Sequence, residues 1–177
     1  MAIEAEIRSF ISEEQYKNLL DFFRKNTELI KEDNQQTHYL DCNEDLRIQK
    51  NNLFSKIWSK KGRMHDEHRE EIEIKFDRAE FENIEKLFSA LGYNTEIKWF
   101  RKRYEFRWDD ITVCIDDTKG YGYIIELEKM CPDKDKEKVL ENLKARLKFL
   151  NIELTPKEEF DRKFQHYRKN WRKLIQQ

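Results

Sequence analysis

Apolar and charged residues alternate strictly at the start of the chain. In the segment 2–10, AIEAEIRSF, the apolar residues Ile3, Ala5 and Ile7 share one parity and the charged residues share the other. A period of two is typical of a β-strand with one buried face. Ser12 and Gln15 then form a capping-box pattern ahead of apolar residues at helical spacing, which predicts a helix of about four turns.

The same two periods divide the rest of the chain into strands and helices. Alternation predicts one strand that ends at 38–41 and further strands over 46–49, 54–60, 69–76, 98–108, 111–117 and 123–130. Stripes at helical spacing predict one helix capped at Asp77 and Glu80, another after Pro132 and a last one over about 156–175. For the last helix Thr155 is the predicted N-cap and Pro156 the first helical residue. The order indicates an α+β domain of about eight mainly antiparallel strands.

Composition limits the number of domains and the classes of partner. The chain has 177 residues, of which 40% are charged and 38% hydrophobic, so we expect a single domain over 1–177 with a modest core. A net charge of -1 gives no broad positive field for nucleic acid. No apolar run approaches the roughly 20 residues of a membrane span. Three cysteines without a CxxC pair suit a reducing compartment, so we expect a cytoplasmic protein without nucleic-acid or membrane partners.

One face of nearly every predicted strand carries charges of both signs. An ordinary half-solvated sheet gives the same alternation. However, the pattern Glu-x-Glu recurs, and like carboxylates two residues apart on one face repel each other unless a cation lies between them. The three pairs are Glu4/Glu6, Glu71/Glu73 and Glu126/Glu128. A divalent cation or a row of Arg and Lys side chains would remove this repulsion.

These charged motifs resemble those of a known family. Glu4-x-Glu6-x-Arg8 is similar to the ExExK signature of the CYTH, or triphosphate tunnel metalloenzyme, superfamily. Five further motifs follow in the family's order, and the resemblance covers essentially the whole chain. They are LRIQ with Arg47, IWSK with Lys60, Arg69-x-Glu71-x-Glu73, Arg101-x-Arg103, and Asp116 followed by GYGYIIELE. The resemblance implies a closed or nearly closed eight-stranded antiparallel β-barrel, with a charged tunnel inside and flanking helices outside.

The resemblance also implies a site. Its carboxylates would bind Mg²⁺ or Mn²⁺, because these hard ions prefer oxygen ligands. The implied metal ligands are Glu4, Glu6, Glu126 and Glu128, assisted by Asp116, Glu71 and Glu73. The implied substrate-binding residues, which would hold a triphosphate, are Arg8, Arg47, Lys60, Arg69, Arg101 and Arg103. The alternative role for each of these residues is an ion pair with a neighbour. The apolar stripe of the last helix is expected to pack on the barrel or on a second subunit of a homodimer, outside the tunnel.

Three functions remain open at this stage. We favour a metal-dependent triphosphatase that acts on inorganic tripolyphosphate or on a nucleoside or other organic triphosphate, with Glu4, Glu6 and Arg8 as catalytic residues. The alternative is a class IV adenylate cyclase, which would convert ATP to cyclic AMP and pyrophosphate. The third is a polyphosphate-binding module without catalysis. Arg8 stands where the family has lysine, and arginine stays protonated, so phosphate binding suits Arg8 better than a general-base role.

Overall fold

The computed structural model describes residues 2–60 and 71–176. Within these residues the chain forms eight strands and four helices. The strands are β1 (Ala2–Ile11), β2 (Glu28–Leu40), β3 (Asp45–Lys50), β4 (Ser55–Lys60), β5 (Glu71–Phe76), β6 (Thr95–Trp108), β7 (Ile111–Thr118) and β8 (Gly122–Pro132). The helices are α1 (Glu13–Asn26), α2 (Phe81–Ala90), α3 (Lys136–Phe149) and α4 (Lys157–Leu174).

All eight strands belong to one antiparallel sheet. Their order is β1-β8-β7-β6-β2-β3-β4-β5, so β1 and β5 form the two edges. The predicted α+β class and antiparallel pairing are therefore confirmed. Among residues 2–60 and 71–176 no ladder of hydrogen bonds joins β1 to β5. The closed barrel that the family resemblance implies is not confirmed.

The hydrophobic core lies between the sheet and two of the helices. The outer face of the sheet, defined here as the face that carries Ile7, Phe106 and Leu127, packs against apolar residues of α1 and α3 such as Phe23 and Leu143. Burial of each such side chain contributes about 1.5–3 kcal/mol. Because side chains alternate along a strand, the charged residues point to the opposite, inner face.

The N-terminus of α1 confirms the predicted capping box. Ser12 Oγ accepts a hydrogen bond from the Gln15 N–H at 3.1 Å, and Gln15 Oε1 accepts one from the Ser12 N–H at 2.8 Å. Both bonds satisfy backbone donors that a helix end leaves without intrahelical partners.

The second helix begins after a short 3-10 turn and buries only part of its apolar stripe. Asp77 caps a short 3-10 turn over Arg78–Glu80, and α2 follows from Phe81 without a side-chain cap. Phe81 is buried, whereas Leu87 and Leu91 of the same apolar stripe remain 54% and 65% exposed. The stripe of α2 thus covers the outer face much less completely than that of α1.

The predicted N-cap at Thr155 is wrong. The cap position of α4 is Pro156, and no side chain caps the helix. Thr155 Oγ1 instead accepts a hydrogen bond from the Phe10 N–H at 2.9 Å, and the Thr155 N–H donates to Ser9 Oγ at 2.9 Å. Since β1 is an edge strand, its outward backbone groups need partners from outside the sheet. The helix runs over Lys157–Leu174, within the predicted range of about 156–175.

Candidate active site

The register of the strands gathers the predicted carboxylates of β1 and β8. Glu6 lies opposite Glu128, and Arg8 lies opposite Glu126. Glu4 is one step further along the inner face of β1 and is exposed. The two Glu-x-Glu pairs, more than 110 residues apart in sequence, therefore meet on one patch of the inner face. We call Glu4, Glu6, Glu126 and Glu128 the carboxylate cluster.

Burial and neighbouring carboxylates act in the same direction on Glu128. Burial together with the nearby charges of Glu4 and Glu126 raises the pKa of Glu128 to about 8. The opposite holds for Glu126. Burial alone would raise the pKa of Glu126, but the charges of Arg103, Arg101 and Arg8 outweigh it and hold the pKa well below its usual range. Neighbouring carboxylates on one strand thus differ in protonation at neutral pH.

A buried ion-pair network supports the cluster from behind. Arg103 donates to both carboxylate oxygens of Asp116, from Nε at 2.8 Å and Nη2 at 2.6 Å, and Nη2 also donates to Glu126. Arg101 Nη1 reaches Asp116 Oδ2 at 3.2 Å. In this arrangement Arg103 neutralises Asp116 and Glu126. An ion pair with a neighbour was the alternative role that the sequence left open for Arg103. A phosphate role for Arg103 stays a prediction.

Three other arginines, Arg8, Arg47 and Arg101, also lie on the inner face of the sheet. Gln35 Oε1 accepts two hydrogen bonds from Arg101, at 2.9 and 2.7 Å. Arg47 pairs with both oxygens of Asp45 at 2.6 Å and its guanidinium lies 4.3 Å from the Tyr39 ring centroid. Arg8 lies 4.7 Å from the ring centroid of Phe160.

These side chains border a cavity of about 320 Å³. Five predicted residues are in its wall, namely Glu6, Arg8, Arg47, Arg101 and Glu126. The rest of the wall includes six aromatic residues, namely Tyr39, Trp58, Trp99, Tyr121, Phe160 and Phe164. The cavity therefore joins a cationic and carboxylate region to an aromatic region.

Other predicted residues lie away from this cavity. Glu73 is on β5, at the opposite edge of the sheet from β1, and pairs with Lys56 at 2.6 Å and Lys75 at 3.4 Å. Lys60 and Glu71 face each other in the β4–β5 ladder, although their side chains lie outside the described residues. Arg69 lies outside them entirely.

The apolar stripe of α4 packs on the sheet, as expected, but the expectation that it stays outside the site is wrong. Phe160 and Phe164 are in the cavity wall. Phe164, Tyr167 and Trp171 pack on Ile97 and Trp99. The cause lies in β6, whose inner face changes from arginine at 101 and 103 to apolar residues at 97 and 99. This apolar end of the inner face needs a cover, which α4 provides.

Hydrogen bonds and a close turn fix α4 in this position. Tyr167 Oη donates to the Lys98 carbonyl and Trp171 Nε1 donates to the Glu96 carbonyl, both at 2.9 Å. Gly120, at φ 72°, passes so near Leu174 that an added Cβ would lie 2.7 Å from Leu174 Cβ. Only glycine suits this turn, both for its positive φ and for the close approach.

Sequence reasoning missed one residue of potential interest for metal binding. The ligand atoms of Cys114, Glu126 and Glu128 all lie within 4.8 Å of one another. Burial is the main reason why the pKa of the Cys114 thiol is raised well above its ordinary value. The available signal was parity, because Cys114 shares the inner face of β7 with Asp116. Gln35 and Asp45, which hold arginines, had no motif to mark them.

None of the helices in the described part of the chain is long and apolar enough to cross a membrane.

Comparison with known proteins gives one sequence relative of note. A protein of Methanocaldococcus jannaschii named "Putative adenylate cyclase" is 42% identical over 86 residues. The match covers 48% of this chain and 47% of that protein, so the aligned part spans about half the length of the curated relative.

Solved structures with low sequence identity share the fold. A conserved hypothetical protein from Pyrococcus furiosus is 21% identical, with a TM-score of 0.72 over 85% of this chain and 91% of that chain. A "Putative adenylyl cyclase" from Hippeastrum, which has a dominant triphosphatase activity, is 19% identical, with a TM-score of 0.67 over 91% of this chain and 94% of that chain. At this identity the likeness concerns the fold alone.

These matches, which are partial or of low sequence identity, do not by themselves assign the chain to a family, but a match to a family model does. The model of the CYTH domain matches residues 2–164, which include the strands that carry the carboxylate cluster and the arginines. The chain therefore belongs to the CYTH domain family.

Proposed function

We propose that the protein is a divalent-metal-dependent triphosphatase that acts on inorganic tripolyphosphate or on a nucleoside or other organic triphosphate. One observation carries the proposal. A single cavity has Glu6 and Glu126 in its wall beside Arg8, Arg47 and Arg101. Carboxylates and arginines in one confined space suit a polyanion that binds together with a divalent cation.

The donor set of the carboxylate cluster fits Mg²⁺ or Mn²⁺. Its four glutamates offer only oxygen atoms, which both ions prefer. Burial and the charges of nearby carboxylates together raise the pKa of Glu128, and a bound cation would relieve the repulsion between these carboxylates. When bound, the metal would neutralise phosphate charge and polarise phosphoryl oxygens.

The arginines would bind and orient the phosphate chain. Guanidinium groups match phosphate oxygens in bidentate fashion. Arg101 is largely held by the neutral amide of Gln35, so a phosphate oxygen can replace that amide at small cost. Arg47 would exchange Asp45 for phosphate, and Arg103 would keep Asp116 and Glu126 in position.

The proposal includes closure of the sheet into the tunnel that the family resemblance implies. Glu71, Glu73, Lys60 and Arg69 lie on β4, β5 or the chain between them. They can take part in the site only if the sheet curls until β5 lies beside β1. We include them as assisting residues on that condition.

The test is a product analysis with two substrates. Purified protein is incubated with ATP and separately with tripolyphosphate, with Mg²⁺, with Mn²⁺ or with EDTA. We expect metal-dependent release of orthophosphate, and loss of turnover by orders of magnitude in the Glu6→Gln variant, because this change removes a metal ligand and keeps the side-chain shape. Release of orthophosphate that neither EDTA nor Glu6→Gln affects would contradict the proposal.

Adenylate cyclase is the second candidate. Two observations favour it, namely the likeness to the archaeal protein named as a cyclase and the aromatic wall of the cavity, which suits a nucleobase. A cyclase would convert ATP into cyclic AMP and an equimolar amount of pyrophosphate. It would also leave tripolyphosphate intact. The same product analysis therefore separates the two enzymes.

A further inference from the structure

Two polar side chains in the cavity wall have no partner in the described part of the chain. Trp58 Nε1 and Thr118 Oγ1 are buried atoms without a hydrogen bond. Their residues are 6% and 1% exposed, and both contribute to the wall of the cavity. Buried donors are nearly always satisfied in native proteins, and an unsatisfied one lowers stability. An exception inside a ligand cavity suggests that the ligand supplies the missing acceptor.

Each of these side chains is the direct cross-strand neighbour of an arginine. Trp58 lies opposite Arg47 in the β3–β4 ladder, and Thr118 lies opposite Arg101 in the β6–β7 ladder. Directly opposed side chains on one face have Cβ atoms about 4.5–5.5 Å apart. The two donors thus repeat one arrangement, a guanidinium with a neutral donor beside it.

The cations next to these donors are those that a phosphate would attract. Above the Trp58 ring centroid lie Lys56 Nζ at 4.6 Å and Arg47 Cζ at 5.7 Å. Arg101 is held next to Thr118 by Gln35 and Asp116. When these long side chains turn toward a phosphate chain, they bring its oxygens to the indole N–H and the hydroxyl. An indole N–H can only donate, so its partner must be an acceptor.

We propose that Trp58 and Thr118 are further ligand-binding residues, each of which donates a hydrogen bond to a phosphoryl oxygen that its neighbouring arginine also binds. The inference rests on the proposed function, because it concerns the ligand of the same cavity. Trp58 lies within the IWSK motif, in which Lys60 is the implied binding residue, and Thr118 lies in none of the family motifs. Phosphoryl groups fit this arrangement because one phosphate offers several oxygens to adjacent donors.

The test measures binding instead of turnover. The dissociation constant of tripolyphosphate, and separately of ATP, is determined by calorimetry in EDTA, which prevents metal-dependent hydrolysis, and again with Mg²⁺ present. Trp58→Phe removes the N–H and keeps a ring, and Thr118→Val removes the hydroxyl and keeps the shape. Loss of a hydrogen bond to a charged acceptor should raise the dissociation constant of tripolyphosphate roughly tenfold or more in each variant.

Two variants control for changes in packing. Trp108→Phe makes the same change of ring at a tryptophan that packs against the hydrophobic core and is not part of the cavity wall. Thr37→Val removes a hydroxyl that already accepts a hydrogen bond from Gln49 Nε2 at 2.8 Å. We expect both controls to bind tripolyphosphate within about threefold of wild type, because Trp108 lies outside the cavity and the Thr37 hydroxyl already has a partner. In urea without ligand, Thr118→Val should unfold at the same or a higher concentration than wild type, and Thr37→Val at a lower one.

Four results would overturn the inference about Trp58 and Thr118. Wild-type affinity in Trp58→Phe and Thr118→Val would overturn the inference and leave the proposed function intact. A loss confined to ATP would overturn it as well, since the acceptors would then belong to the organic group. A clear fall in the ligand-free stability of Thr118→Val would show that its hydroxyl already has a partner. If wild type binds neither compound in EDTA or with Mg²⁺, the proposed function fails and this inference fails with it.

Discussion

Two glutamates on β8 should respond to the same substitution with opposite signs. Glu126 and Glu128 are two residues apart on the inner face, but Glu126 is bound by Arg103, whereas Glu128 lies among other carboxylates. Without metal, Glu128→Gln should therefore stabilise the protein, because it removes a repelled charge. Glu126→Gln should destabilise it, because it removes the charge that Arg103 needs.

The size of the first effect follows from the pKa. The pKa of Glu128 is raised from 4.5 to about 8, so its contribution to stability is fully present below pH 4.5 and is lost as the pH rises toward 8. At pH 7 the distance from 4.5 is 2.5 units, and at about 1.36 kcal/mol per unit this gives a ceiling of about 3 kcal/mol. We expect Glu128→Gln to gain about 1–3 kcal/mol at pH 7 and almost nothing at pH 4.5. Glu126→Gln should lose about 1–3 kcal/mol, the value of a charge-assisted hydrogen bond.

The assay is urea unfolding in EDTA at pH 4.5, 7 and 8.5 for wild type and both variants. The difference between Glu128→Gln and wild type should grow with pH, and that between Glu126→Gln and wild type should have the opposite sign at pH 7. With Mg²⁺ added, the gain of Glu128→Gln should shrink, because wild type then binds the cation. If Glu128→Gln is less stable than wild type at pH 8.5, or if the difference between their free energies of unfolding does not depend on pH, burial and like-charge repulsion do not destabilise Glu128 as inferred here.

Three further predictions follow from the site and from α4. Addition of Mg²⁺ with tripolyphosphate should raise the melting temperature more than either alone, since each relieves repulsion left by the other; an unmoved melting curve at millimolar concentrations would count against an occupied site. Arg101→Gln should raise the KM for tripolyphosphate at least about tenfold while circular dichroism stays unchanged, because it removes one guanidinium contact to phosphate; an unaltered KM would exclude Arg101 from binding. Trp171→Ala should lower the free energy of unfolding by about 3 kcal/mol, because it leaves a cavity where α4 packs on Ile97 and Trp99. A loss below about 1 kcal/mol would mean that α4 is not fixed there.

The sequence was sufficient for most of the local structure. Strict alternation in β1 and the Ser12 capping box depend on neighbours a few residues apart, and the structure has both as predicted. The prediction for Thr155 failed because its hydroxyl could accept a hydrogen bond either from a backbone N–H of α4 or from one of β1. The structure has the second of these bonds, from the Phe10 N–H, although β1 lies more than 140 residues away in sequence.

For the site, the sequence determined which residues share a face, and the tertiary structure decided which of them meet. Parity placed Glu4, Glu6, Glu126 and Glu128 on one face of their strands, and the pairing of β1 with β8 brought them together. Whether an arginine neutralises a carboxylate, as Arg103 does, depends on distances across three strands that no local pattern encodes. The tertiary structure also decides that α4 covers the apolar end of the inner face. An amphipathic helix buries its apolar stripe on whichever exposed apolar surface the fold leaves within reach.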